Sequence, residues 1–152
     1  TAFSSEHVTA LLLPDKDSNP ASEVLARQVA KHLGIEPILE NITPTLEGFG
    51  CYSRRDAAIR RVFPEYNAAA GYKAKIVLPA NILNENTLNV FSLTIITPSG
   101  EEKTQRLAAS DYLQIEAASN FKQRTRMSMI YYYAERQNYA VIGTANRDEL
   151  EQ

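Results

Sequence analysis

Residues 8–13 form a short, nearly continuous apolar run, and Pro14 with the polar residues 15–19 ends it. Such a run predicts a strand buried on both faces, as in a parallel sheet. Asn19 and Pro20 then open a helix: Asn caps, Pro suits the first turn, and Glu23 sits near the positive end of the dipole. Val24, Leu25, Val29 and Leu33 recur at helical spacing until Gly34 stops the helix. Residues 35–42 resume as a strand. Strand, helix and strand with short connections predict one β–α–β unit, hence a parallel pair with a right-handed crossover.

Thr43 and Pro44 predict a second helical piece. Residues 53–63 read as a further helix carrying Arg54, Arg55, Arg60 and Arg61, ended by Pro64. Residues 71–79 read as a basic-apolar strand. Residues 88–97, a turn at 98–101 and residues 103–107 read as a β-hairpin whose second strand is short and charged, as an edge should be. This hairpin interrupts the alternating strand–helix pattern and reads as an insertion. Ser110 and Asp111 begin the longest helix, reaching toward Gln137, with good helix formers and no internal Gly or Pro. Asn138 and Tyr139 break it, and residues 140–143 read as another short apolar strand.

With 152 residues, one domain is the default. A net charge of −2 gives no electrostatic case for nucleic acid. No apolar run approaches the roughly 20 residues of a membrane span, so no membrane partner is expected. The single cysteine, Cys51, and the lack of a secretory signal pattern favour a cytoplasmic setting. Two distant histidines and one cysteine make a zinc site a poor expectation. The chain lacks an initiator Met and stops just after a strand-like segment, which reads as a piece of something longer.

Candidate chemistry lies toward the C-terminus. Asn120 and Arg124 share a helix face, and the Arg124 guanidinium suits a carboxylate or phosphate. Taken alone, such an arginine is more often solvated or ion-paired. Arg126 projects to nearly the opposite side, so the two arginines cannot clamp one anion: at most one serves a given site in this subunit, and the other is left for an interface. Gly143 and Thr144 after a strand allow close backbone approach and a hydroxyl contact to a phosphate. Glu149 would lie near the same end as a Mg²⁺ ligand. The plainer reading is an N-cap Thr with a first-turn acid. Arg54, Arg55, Arg60 and Arg61 read as a solvated face, and Tyr131, Tyr132 and Tyr133 as packing with an interface edge.

Two segments together resemble the NAD⁺ synthase family, ammonia- or glutamine-dependent enzymes of the N-type ATP pyrophosphatase superfamily. One is residues 11–14 followed by 18–23 and the helix ending at Leu33, Gly34 and Ile35. The other is Asn120, Arg124, Arg126 and Met127 followed by Val141, Ile142, Gly143, Thr144, Asn146 and Glu149. The resemblance implies a parallel-sheet, adenine nucleotide alpha hydrolase-like (Rossmann-like) α/β fold. It would be incomplete over residues 1–152, with an insertion at about 49–109 of a kind seen only in a minority branch.

The resemblance also implies a reaction: ATP adenylates the nicotinate carboxylate of deamido-NAD⁺, and ammonia displaces AMP to give NAD⁺. By position, Arg124 is similar to the family arginine that contacts deamido-NAD⁺ across a homodimer interface. Thr144 matches its ATP-binding Thr, Leu12 the residue that cradles adenosine, and Glu149 its Mg²⁺ ligand. The family's Ser-Gly-Gly-x-Asp-Ser phosphate loop is expected upstream of Val8, and a glycine-rich segment beyond Gln152, so this stretch alone is expected to be inactive. Another adenylating ATP pyrophosphatase and a non-catalytic, dimerising or nucleotide-binding remnant are the alternatives.

Overall fold

The computed structural model describes residues 4–77 and 91–142. The chain divides into two compact units, Thr1–Thr43 with Gln123–Gln152, and Pro44–Lys122.

In the first unit a short 3₁₀ turn, Ser5–His7, leads to strand β1 (Leu11–Leu12), helix α1 (Pro20–His32) and strand β2 (Ile38–Leu39). β1 and β2 pair in parallel, Leu11 opposite Ile38 and Leu12 opposite Leu39, which is the expected β–α–β unit. Local chemistry sets the helix ends. The Asn19 side chain accepts from the Ala21 N–H at 3.0 Å, satisfying an amide the helix cannot. Gly34 takes φ +69°, and the Ile35 N–H returns to the Ala30 carbonyl at 2.9 Å.

Two expectations need correction here. β1 is not buried on both faces: Leu11 and Leu12 are half-buried and Leu39 is 46% exposed. Among the described residues the sheet has only these two strands, too few to cover them. The apolar stripe of α1 is likewise left open, with Val24, Leu25 and Val29 all more than half exposed. Residues 140–142 adopt no regular strand, and Ile142 is 73% exposed. A strand needs a neighbouring strand to pair with, and none among the described residues meets this segment.

In the second unit, helices α2 (Thr43–Gly48) and α3 (Cys51–Val62) precede a three-stranded antiparallel sheet. Its strands are β3 (Lys73–Val77), β4 (Ser92–Ile96) and β5 (Glu102–Arg106), in that order. The basic-apolar strand β3 therefore joins the hairpin strands in one sheet. Leu93 and Ile95 of the central strand pack with Ala58, Ile59, Phe63, Tyr66, Leu107 and Ile115. Thr94 turns to the other face and shares a hydrogen bond with Thr104 at 2.8 Å. Phe91 stacks on Tyr112 with ring centroids 4.1 Å apart. The residue before a proline avoids helical backbone, and α3 accordingly ends at Val62, with Phe63 extended (φ −127°) before Pro64.

The arginines of α3 are more engaged than a solvated face. Arg55 bonds Asp56 at 3.0 Å, and Arg61 bonds both Asp111 and Gln114 at 2.7 Å. Cys51 is fully buried, its thiol 3.1 Å from the Ala118 carbonyl. Helix α4 (Ala109–Gln137) spans 29 residues and ends where Asn138 takes φ 53°. No helix among the described residues is long and apolar enough to cross a membrane.

Candidate functional site

In a parallel β–α–β unit, ligands meet the carboxyl ends of the strands, because the loops there converge and the crossover helix begins there. In the first unit that rim is made by residues 13–19 after β1 and residues 40–42 after β2. The two loops are tied together: the Ile42 N–H donates to the Pro14 carbonyl at 3.0 Å. Asp15 folds its own loop, taking the Asp17 N–H on Oδ1 at 2.7 Å, while its N–H donates to Ser18 Oγ at 3.0 Å.

Helix α4 supplies the side wall. Arg126 donates from Nε to the Leu13 carbonyl at 3.2 Å and from Nη2 to Asp15 Oδ2 at 2.8 Å. The Asp15 side chain is only 2% exposed, so its charge sits where water cannot solvate it and needs this partner. Two turns further along, the Tyr133 hydroxyl donates to Glu40 Oε2 at 2.8 Å. That hydrogen bond, followed by desolvation and the carboxylate's charge, raises the Tyr133 pKa above the ordinary phenol value.

The expected site residues fall unevenly on this frame. Leu12 ends β1, next to the carbonyl that Arg126 holds. Arg124 is exposed on α4, and among the described residues its guanidinium has no hydrogen-bond or ion-pair partner. Arg126 turns inward instead, to the Leu13 carbonyl and Asp15. Thr144 and Glu149 lie outside the described residues. Among the described residues no three His, Cys, Asp or Glu side chains gather as a metal cage. Mg²⁺ commonly takes one or two protein carboxylates and fills its remaining positions with water and phosphate oxygens.

Sequence reasoning missed the pairings of Asp15, Glu40 and Tyr133, and a cavity of about 680 Å³ that Tyr133 lines. Its walls include Thr9, Leu11, Ile130, Tyr133, Ala134 and Val141. Neither Leu12 nor Arg124 lines it. Thr9 Oγ1 donates to Gln137 Oε1 at 2.6 Å across one end. Only the polarity of residues 15–19 hinted at any of this, because each pairing joins residues far apart in the chain.

The first unit is thus an α/β framework with one parallel crossover and a preorganised loop at the strand ends. The model of the NAD synthase family matches residues 80–151. The NH(3)-dependent NAD(+) synthetase of Rhizobium meliloti (strain 1021) is 45% identical over 151 residues, 99% of this chain and 44% of that protein. The enzyme of the same name from Mesorhizobium japonicum is 46% identical over 151 residues, covering 99% and 46% of the two chains. That of Thermotoga maritima is 30% identical over 148 residues, covering 97% and 46%. The chain is similar over nearly its whole length to these synthetases, and it spans less than half of their length. No solved structure gives a significant match.

Proposed function

We propose that the chain forms part of an ATP-dependent ligase that amidates deamido-NAD⁺ to NAD⁺. The observation that carries this reading is the 45% identity over 151 residues to the synthetase of Rhizobium meliloti. In this reaction a nicotinate carboxylate oxygen attacks the α-phosphorus of ATP and pyrophosphate leaves. Ammonia then attacks the acyl carbon, sheds a proton and expels AMP. The protein's work is positioning and charge stabilisation. The relatives' names favour ammonia itself as nitrogen donor over glutamine.

Arg124 binds deamido-NAD⁺ in this reading, supported by an exposed guanidinium with no partner among the described residues. Leu12 meets adenosine through backbone and apolar contact, supported by its place at the carboxyl end of β1. Thr144 binds ATP through its hydroxyl, and Glu149 holds Mg²⁺, which would offset charge on the phosphates. A homodimer brings Arg124 to the partner's substrate. Met127 and Tyr131, three and seven residues further on the same helix, are each 50% exposed, as an interface face would be in a lone chain. The fuller fold is Rossmann-like, with residues from about 49 to 109 as an insertion, and the setting is cytoplasmic.

The test is a chimera in which this chain replaces the matching stretch of the Rhizobium meliloti synthetase. With ATP, Mg²⁺, deamido-NAD⁺ and ammonia it should form NAD⁺ and AMP in equal amounts. A folded chimera that makes neither overturns the reading.

A further inference from the structure

We propose that β5 pairs with the β5 strand of a second copy of this chain, antiparallel about Thr104, so that two three-stranded sheets become one. This stands apart from the enzymatic reading and from the α4 face that carries Arg124. It starts from the backbone. At the two ends of the β4–β5 ladder, the Leu107 N–H donates to the Phe91 carbonyl at 2.8 Å and the Thr97 N–H to the Glu101 carbonyl at 2.9 Å. In an antiparallel ladder alternate residues direct both peptide groups to the same side. Lys103 and Gln105 therefore serve β4, and Glu102, Thr104 and Arg106 direct their N–H and C=O groups to the opposite edge. Among the described residues no strand pairs with that edge.

The side chains select the occupant. Residues 102–106 are Glu, Lys, Thr, Gln and Arg in turn. An antiparallel copy centred on Thr104 sets Glu102 opposite the partner's Arg106 and Arg106 opposite the partner's Glu102, with Lys103 facing a neutral glutamine. The outward-directed residues then meet one another, and each such pair exchanges two hydrogen bonds. Opposite charges directly across a ladder stabilise it, and like charges oppose it. A centre on Lys103 would set two lysines face to face, and a centre on Gln105 would leave Glu102 facing Ala108. The charges of β5 therefore suit one register of self-pairing. Glu102, Thr104 and Arg106 are all exposed. Among the described residues the Arg106 guanidinium has no partner, and Glu102 has Lys75 at 3.2 Å, on the far strand of its own sheet. The other edge strand, β3, carries exposed lysines at 73 and 75, which oppose such pairing. One strand pair lies below the roughly 1,200 Å² of a standard interface, so the association is weak.

The experiment follows backbone hydrogen exchange of the 152-residue chain from micromolar to millimolar concentration. Exchange at Glu102, Thr104 and Arg106 should slow by roughly threefold or more as concentration rises, while Lys103 and Gln105, already bonded to β4, stay constant. That alternation separates this edge from any other contact between copies. Glu102→Arg or Arg106→Glu alone sets like charges opposite each other and should abolish the slowing. Both side chains are exposed, so neither reversal disturbs the fold. Mixing the two variants restores opposite charges at both ends of the pair and should bring the slowing back. No alternating slowing in the unaltered chain overturns the proposal, as does slowing that survives either reversal. Loss in the single variants without recovery in the mixture overturns it too. Alternating protection that does not change with concentration would place the covering strand within one chain and overturn it as well.

Discussion

Arg126 Nη2 lies 2.8 Å from Asp15 Oδ2, and the same guanidinium holds the Leu13 carbonyl at 3.2 Å. One side chain of α4 thereby fixes both the end of β1 and the loop that follows it. The pair is asymmetric, since the Asp15 side chain is 2% exposed and that of Arg126 is 36% exposed. Removing the cation takes one hydrogen bond and a neighbouring charge from a buried carboxylate, whereas removing the carboxylate leaves a cation that water can reach.

Arg126→Ala is therefore expected to destabilise the chain by about 1.5–3 kcal/mol, the range for a hydrogen bond to a charged group. The double variant with Asp15→Ala should lose less than the sum of the two single losses. Urea unfolding midpoints measure both. Equal and additive losses would show that the contact contributes no coupling.

Arg124→Ala should behave oppositely. As an exposed residue without a partner among the described residues, it should change stability by less than about 0.5 kcal/mol. In the chimera, the same substitution should raise the deamido-NAD⁺ concentration needed for half-maximal rate and leave that for ATP nearly unchanged. An unaltered deamido-NAD⁺ dependence removes Arg124 from the substrate site.

Tyr133 titrates above the ordinary tyrosine pKa of about 10 because its hydroxyl donates to Glu40. A group whose pKa is raised on folding adds stability below its unfolded pKa and loses it as pH climbs through the folded value. The contribution should thus be intact at neutral pH and fade above about pH 10. Spectrophotometric titration of tyrosinate should show one late-ionising tyrosine that disappears in Tyr133→Phe. A wild-type curve that matches the variant's after removal of one ordinary tyrosine would refute the bond.

Glu149→Ala in the chimera should raise the Mg²⁺ concentration needed for AMP formation by at least roughly tenfold, since loss of a partner that only supports a metal ligand already costs about 10- to 100-fold. A magnesium titration of the initial rate reads this directly. Full activity at unchanged Mg²⁺ would sink the metal role.

Gly34 tests a backbone argument. It sits at φ +69°, and an added Cβ would meet nothing closer than Ser5 Oγ at 3.8 Å. Space is available, so Gly34→Ala should cost only the left-handed penalty of about 1–2 kcal/mol. Thermal unfolding will show whether the loss stays within that range or exceeds it through a clash.

The sequence by itself determined what depends on neighbours along the chain. Asn19 and Gly34 bound α1, Pro64 stops α3, and the two parallel runs around α1 follow from short-range hydrogen bonding and periodicity. The places of Leu12 on a strand end and Arg124 on a helix face were legible for the same reason, while Thr144 and Glu149 fall beyond the described residues. Tertiary structure alone decided that β3 joins β4 and β5, that Arg126 clasps Asp15 rather than reaching for a partner, and that Tyr133 finds Glu40. Those two side-chain contacts join residues 111 and 93 positions apart. No local pattern specifies such pairs, because their energy appears only once the chain has closed and removed the groups from water.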